Sequence, residues 1–75
     1  MEKPELSEVI AMMLRHAQMM VEFKGEYTGI REMRKHLSWY TMGYPGSSKL
    51  RAKGYEINTM EDLQNLLAEY AEKYV

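Results

Sequence analysis

The sequence predicts an all-α fold, a small helical bundle of three long helices and one short helix. Three observations predict it. Apolar residues recur at helical spacing in three separate stretches. Sustained strand alternation and two-residue hairpin turns are absent. Glycine, proline and serine fall where helices would have to stop or start. At 75 residues the chain makes one domain at most, so residues 1–75 are read as a single unit. A chain of this size buries only about 60 to 65% of the surface it exposes when unfolded, and its core must be thin.

Pro4 suits a first turn, and Glu5 and Glu8 place negative charge where the helix dipole favours it. Leu6, Ile10, Met13, Ala17 and Met20 then repeat at helical spacing, widened by Leu14 and Val21, which predicts a helix over about 5–23. Gly25 follows as a C-terminal stop. Thr28 is the expected N-cap of a second helix over about 29–41. At about 100° per residue, Ile30, Met33, Leu37 and Tyr40 share one side of it, whereas Arg31, Arg34, Lys35 and Ser38 share the other. His36 and Trp39 lie between the two faces.

Gly43, Tyr44, Pro45 and Gly46 force a turn. Ser47 or Ser48 is expected to cap a short helix over 47–53, closed by Gly54. Tyr55 and Ile57, in the connector, are expected to plug the core. Asn58 or Thr59 caps the last helix, over 60–74; Thr59 and Asp62 form an imperfect capping box, since the motif prefers Glu or Gln at the third position. Leu63, Leu66, Leu67, Tyr70, Ala71 and Tyr74 give this helix the cleanest amphipathic pattern in the chain. Periodicity alone does not choose between an antiparallel bundle and an irregular helical array.

With no cysteine, neither disulfides nor thiolate metal sites can hold the fold. The opening Met1, Glu2, Lys3 and Pro4 lack the basic start and apolar run of a signal peptide. No apolar run approaches the roughly 18 to 20 residues that cross a bilayer. A soluble, cytoplasmic chain without a membrane partner is expected.

Net charge is only −1, but it is unevenly spread. Residues 1–30 carry three bases and five acids, residues 31–53 six bases and one acid, and residues 54–75 one base and five acids. The sums are −2, +5 and −4. A positive block between two acidic ones acts on partners more than the total does. Within it, Arg31, Arg34 and Lys35 have no acid on their own face, Lys49, Arg51 and Lys53 follow the turn, and Trp39, Tyr40 and Tyr44 are interleaved. Guanidinium groups engage two phosphate oxygens at once, and aromatic rings stack on unpaired bases. RNA is therefore the expected partner.

Catalytic chemistry is hard to find. His16 and His36, the two histidines, lie on different helices without cysteine partners, so a zinc site would have to recruit carboxylates. Ser47 and Ser48 read as caps, and Gly43, Gly46 and Gly54 lack phosphate-loop or dinucleotide spacing. No catalytic, metal or cofactor-binding residue is assigned. The rival to RNA binding is a protein-interaction module that uses the methionine-rich first helix, where Met12 and Met19 lie off the centre of the core stripe. DNA is not expected: the short helix after Pro45 offers little length for a major groove.

The run from Gly25 through Tyr40, with its Arg31-Glu32-Met33-Arg34-Lys35-His36 core and Trp39-Tyr40, then Gly43, Pro45-Gly46 and Leu50-Arg51, resembles the C-terminal part of bacterial tRNA-dihydrouridine synthases of the B type. Leu14-Arg15-His16 upstream and the helix from Thr59 downstream also fit, so the resemblance spans nearly the whole chain. It implies a longer parent with an N-terminal flavin barrel, holding FMN and a catalytic cysteine acid, that reduces a uridine of tRNA with NADPH; that barrel is absent from this chain. It further implies that this part grips tRNA and meets its own barrel. Arg31, Arg34, Lys35, His36 and Arg51 match the family's basic positions and are carried over as RNA contacts. The chain departs from the family at Thr41 and Tyr44, where more aliphatic residues are expected, and at Gly54 and Tyr55.

Overall fold

The computed structural model describes residues 4–75, so the reading of Met1 to Lys3 lies outside the described residues. Four helices follow one another: α1 (Leu6–Lys24), α2 (Glu26–Tyr40), α3 (Ser47–Gly54) and α4 (Met60–Tyr74). No strand occurs among the described residues.

A single residue joins α1 to α2. Gly25 adopts φ 84° and ψ 161° and serves both as the end of one helix and as the start of the next. Only glycine occupies this backbone region without strain, and its amide still bonds to Val21 O at 2.8 Å. The expected start at Thr28 is therefore corrected to Glu26. Thr28 lies inside the first turn, because Gly25 turns the chain without spending any residues on a loop.

Contacts between α1 and α2 run in opposite directions: Lys24 meets Glu32, Met20 lies under Gly29, and His16 reaches Tyr40. At Gly29 the two backbones nearly touch. A Cβ there would lie 2.9 Å from Met20 C and O and from Val21 N, so the residue's missing side chain sets the spacing of the hairpin.

Four further sequence expectations are corrected. Pro4 precedes α1 and does not lie in its first turn; Glu5 takes the N-cap position without a side-chain cap bond. Neither Ser47 nor Ser48 caps α3, because the left-handed Gly46 (φ 73°) already occupies the N-cap and leaves both serines within the first turn. Gly54 remains helical and buried as the last residue of α3 instead of closing it, and Leu37 packs 2.6 Å from where a Cβ would stand. That extra helical residue turns Tyr55 outward, so it is 65% exposed and leaves Ile57 alone as the buried residue of the connector.

Thr59 and Asp62 make both bonds of a capping box. The Asp62 amide donates to Thr59 Oγ1 at 3.0 Å, and the amides of Asn58 and Thr59 donate to Asp62 Oδ2 at 3.0 and 3.2 Å. Aspartate reaches because the two amides converge on one oxygen. The Met60 amide, another of the orphan donors at a helix start, donates to Glu26 of α2 at 2.9 Å.

α4 thus starts beside the start of α2 and ends beside its far end, where Tyr70 donates to Pro45 O at 2.6 Å and the Tyr74 ring covers Gly46. Between α1, α2 and α4 lies the core, centred on the fully buried Met13, Ile30, Met33, Leu37, Leu63 and Leu67. Thr41 is buried as well; its hydroxyl donates to Leu37 O at 2.8 Å, which removes the cost of placing oxygen there. Tyr44 ties the turn to the chain's start by donating to Pro4 O. At both departures from the aliphatic pattern, then, the oxygen is hydrogen-bonded.

Candidate nucleic-acid interface

Arg31, Lys35, Ser38 and Met42 succeed one another at spacings of four, three and four residues. Such spacing draws a stripe along the outer face of α2 and past its end. Arg31 and Lys35 are exposed and lie one turn apart, about 5 to 6 Å along the axis. Neither forms an ion pair among the described residues, where the one salt bridge joins Lys24 to Glu32 at 2.8 Å. The Arg31 guanidinium lies 4.3 Å from the centroid of the Tyr27 ring, an attraction that holds the cation in place without neutralising it. Lys24 holds the Glu32 carboxyl below its usual range by hydrogen bonding to it. Glu32, the single acid of the basic block, is thus already engaged.

Arg34 behaves differently. Its Nε and Nη2 donate to Ile57 O at 2.9 and 2.5 Å, and Nη2 also donates to Asn58 Oδ1 at 2.9 Å. It is half-buried and fastens α2 to the connector before α4. The cationic strip expected from the helical wheel therefore divides: Arg31 and Lys35 face outward, whereas Arg34 leans into the molecule.

The second half of the basic block divides too. On α3, Ser47 and Arg51 are one turn apart, while Lys49 and Lys53 point away from them at helical angles. Arg51 joins Ser38, Trp39, Met42, Ser47 and Ser48 in a groove between the end of α2 and the start of α3. Lys49 and Lys53 line the opposite side, toward α4, with Glu69 and Lys73. Lys53 also borders Glu56 and Asp62, so its field is opposed by carboxylates.

Trp39 is 70% exposed. His36 meets it edge-on, with ring centroids 5.5 Å apart and planes at 86°. His36 in turn lies 4.9 Å from the ring of His16 on α1, and His16 Nδ1 hydrogen-bonds the Tyr40 hydroxyl at 3.0 Å. Two histidines far apart in sequence are thereby brought together. Among the described residues no group of three or more His, Cys, Asp or Glu could hold a metal ion.

Arg31, Lys35 and Trp39 are thus exposed at four-residue spacings along α2, Arg51 shares a groove with Trp39, His36 abuts Trp39, and Lys49 and Lys53 lie on another side of α3. Sequence reasoning missed Tyr27, whose signal is its four-residue spacing from Arg31, and the groove-lining role of Ser47 and Ser48, which their reading as caps concealed. The rival surface is present as well. Met12, Met19 and Phe23 lie on one outer stripe of α1, and Phe23 is 84% exposed.

The family model described as Dihydrouridine synthase (Dus) matches residues 1–75. The chain is 39% identical over 64 residues to a probable tRNA-dihydrouridine synthase of Mycobacterium leprae, a match covering 85% of this chain and 17% of that protein. It is 36% identical over 64 residues to probable tRNA-dihydrouridine synthase 1 of Synechocystis, covering 85% of this chain and 18% of that one. With tRNA-dihydrouridine synthase B of Pseudomonas putida it shares 38% identity over 61 residues, covering 81% and 17%. The chain thus spans less than a fifth of the length of these relatives. No solved structure matches it.

Proposed function

The chain belongs to the dihydrouridine synthase family, and from that premise we propose that it is the tRNA-binding part of a tRNA-dihydrouridine synthase. The observation that carries this reading is the exposure of Arg31, Lys35 and Arg51, cations that make no ion pair among the described residues, with Trp39 beside Arg51. Cations held on a rigid helix face, two of them one turn apart, engage phosphates, release counterions and position the RNA by its shape. Arg34 stays outside the proposed contact set because its Nε and Nη2 are committed to Ile57 O and Asn58 Oδ1 and hold the side chain half-buried.

The resemblance implies FMN for a longer parent protein. In the proposed arrangement FMN, NADPH and the reduction of uridine belong to the barrel of a longer, cytoplasmic protein. This part holds the tRNA while a uridine reaches that barrel.

The test is titration of labelled tRNA with the chain at low and moderate salt. Expected is weak binding, about 10⁻⁴ to 10⁻⁶ M, that falls with salt at a logarithmic slope of roughly 0.7 to 0.9 per phosphate. The double variant R31A/K35A should reduce that slope by about 1.4 to 1.8. Equal binding by wild type and the double variant sinks the reading. A second reading, docking of a protein on α1, is favoured by the exposed Met12, Met19 and Phe23; amide shifts confined to α1 on adding a protein partner, with none from tRNA, would select it.

A further inference from the structure

Grooves flank α3 on two sides, and the sides differ in charge. Toward α4, one groove sets Lys53 among Glu56, Asp62 and Glu69, and another sets Lys49, Lys53 and Lys73 beside Glu69, so carboxylates face the cations on that side. The groove on the other side, between the end of α2 and the start of α3, carries Arg51 and no carboxylate; its walls are Ser38, Trp39, Met42, Gly43, Ser47 and Ser48. Its volume is about 310 Å³, at the lower end of the roughly 300 to 1,000 Å³ of small-molecule sites.

We propose that this groove receives one unpaired nucleotide of the bound RNA, with its base on the Trp39 indole and its phosphate on Arg51. The inference rests on the RNA-binding reading above and says which kind of nucleotide that reading requires at this point. Indole rings are ordinarily largely covered, whereas this one is 70% exposed. It is nonetheless held in place, because His36 abuts it edge-on and is itself backed by His16. A ring steadied along one side and open on another is a stacking platform. Arg51 makes no ion pair among the described residues, and Ser47, one helical turn before it, adds a hydroxyl to the same side. The Ser38 hydroxyl donates to Lys35 O at 3.1 Å, which leaves its oxygen free to accept from a base edge or a ribose.

The platform selects against duplex. In a paired helix the base faces are occupied by their neighbours, and proteins read such RNA through phosphates and 2′-hydroxyls. Apart from the outer face of a terminal pair, only a nucleotide turned out of the stack, in a loop or bulge, presents a face to the indole. Because every base has such a face, the groove tolerates any sequence.

Trp39 is the sole tryptophan of the chain, so its emission reports on the groove alone. The experiment titrates the chain with tRNA, with a single-stranded RNA, and with a blunt RNA duplex of the same length. Binding is followed in parallel by the anisotropy of a label on each RNA. Expected is quenching of Trp39 by tRNA and by the single strand, with the duplex binding but not quenching. W39A should lose about 5- to 150-fold in affinity for the single strand, the equivalent of one base stack. W39F should recover part of that loss, and neither should change duplex affinity. Circular dichroism checks that both variants keep their helices; if W39A unfolds, W39F against wild type decides. R51A should weaken single-strand binding and lower its salt slope by about 0.7. RNA that binds by anisotropy while Trp39 emission stays constant, or a duplex that quenches equally, overturns the groove and leaves the RNA-binding reading intact. Absence of any RNA binding at low salt removes both.

Discussion

The Arg34 guanidinium grips the carbonyl of Ile57 through two donors, Nε at 2.9 Å and Nη2 at 2.5 Å, across 23 residues of sequence. Its neighbour on the helical wheel, Arg31, touches nothing but the ring of Tyr27 among the contacts described. Two arginines three residues apart on one helix therefore have separate duties.

Their variants should separate accordingly. R34A removes charge-assisted bonds and leaves the Ile57 carbonyl unpaired, and should destabilise the chain by about 2 kcal/mol. R31A should change stability by no more than about 0.5 kcal/mol. Thermal melts of the two variants check this; equal melting points would show that Arg34 is not a structural fastening.

Gly29 and Gly54 provide a second contrast. A Cβ at Gly29 would meet the Met20 and Val21 backbone at 2.9 Å, whereas one at Gly54 would meet the terminal methyl of Leu37 at 2.6 Å. Backbone cannot step aside without moving a helix, but a leucine methyl can change rotamer. G29A should therefore cost about 2 to 3 kcal/mol or more, and G54A clearly less. Chemical denaturation of both variants measures the order, and the reverse order is incompatible with this packing.

Acid should loosen α4 at its start. The Asp62 carboxyl lies below its ordinary value chiefly because the Asn58 amide donates to it, with the Thr59 amide and hydroxyl adding to the effect. A folded-state pKa below the unfolded one means that the stabilisation is present above the unfolded value and is lost as pH falls through the folded one, here below about pH 4. D62N should flatten that part of the stability curve and lower stability at neutral pH. An unchanged acid limb in D62N would count against the capping box.

Alkali acts at the other end of α4. Burial raises the Tyr70 hydroxyl above its ordinary value, with Tyr74 and Tyr44 adding to the effect. The phenol is therefore held protonated, and the associated stability is present below about pH 10 and is lost as pH rises further. Y70F removes the donor to Pro45 O and should cost about 1 kcal/mol at neutral pH while abolishing this alkaline loss. Stability followed from pH 8 to 11 in wild type and Y70F provides the comparison.

Much of the helical content could be read from spacing. The leucines of α4 lie at helical intervals with no competing signal, and Gly25 and the Gly43 to Gly46 turn interrupt the pattern where the helices break. Boundaries were harder to read wherever two devices could do the same task. Ser47 resembles a cap by residue type, yet Gly46 takes the position. Gly54 resembles a stop, yet it stays in the helix and leaves room for a leucine from another helix. Tyr55 departs from its expected core position for the same reason, since one more helical residue rotates it to the outside.

The candidate interface was legible as a count of cations but not as a surface. Charge is a property of residues, so the basic block and its flanking acids can be tallied from the chain alone. Which cations share a face depends on what each helix packs against. Helical periodicity placed Arg34 beside Arg31, but the carbonyl that claims Arg34 belongs to a connector 23 residues away.

Local rules act through near neighbours along the backbone, and for this reason the sequence by itself determined four helices, the polarity of each helix face and the asymmetry of charge. Tertiary structure alone decided the assembly of Trp39, Ser47 and Arg51 around one groove, the meeting of His16 with His36, and the withdrawal of Arg34. Each of these depends on distances between elements, and those distances follow from close approaches such as that of Gly29 to Met20, which no pattern along the chain encodes.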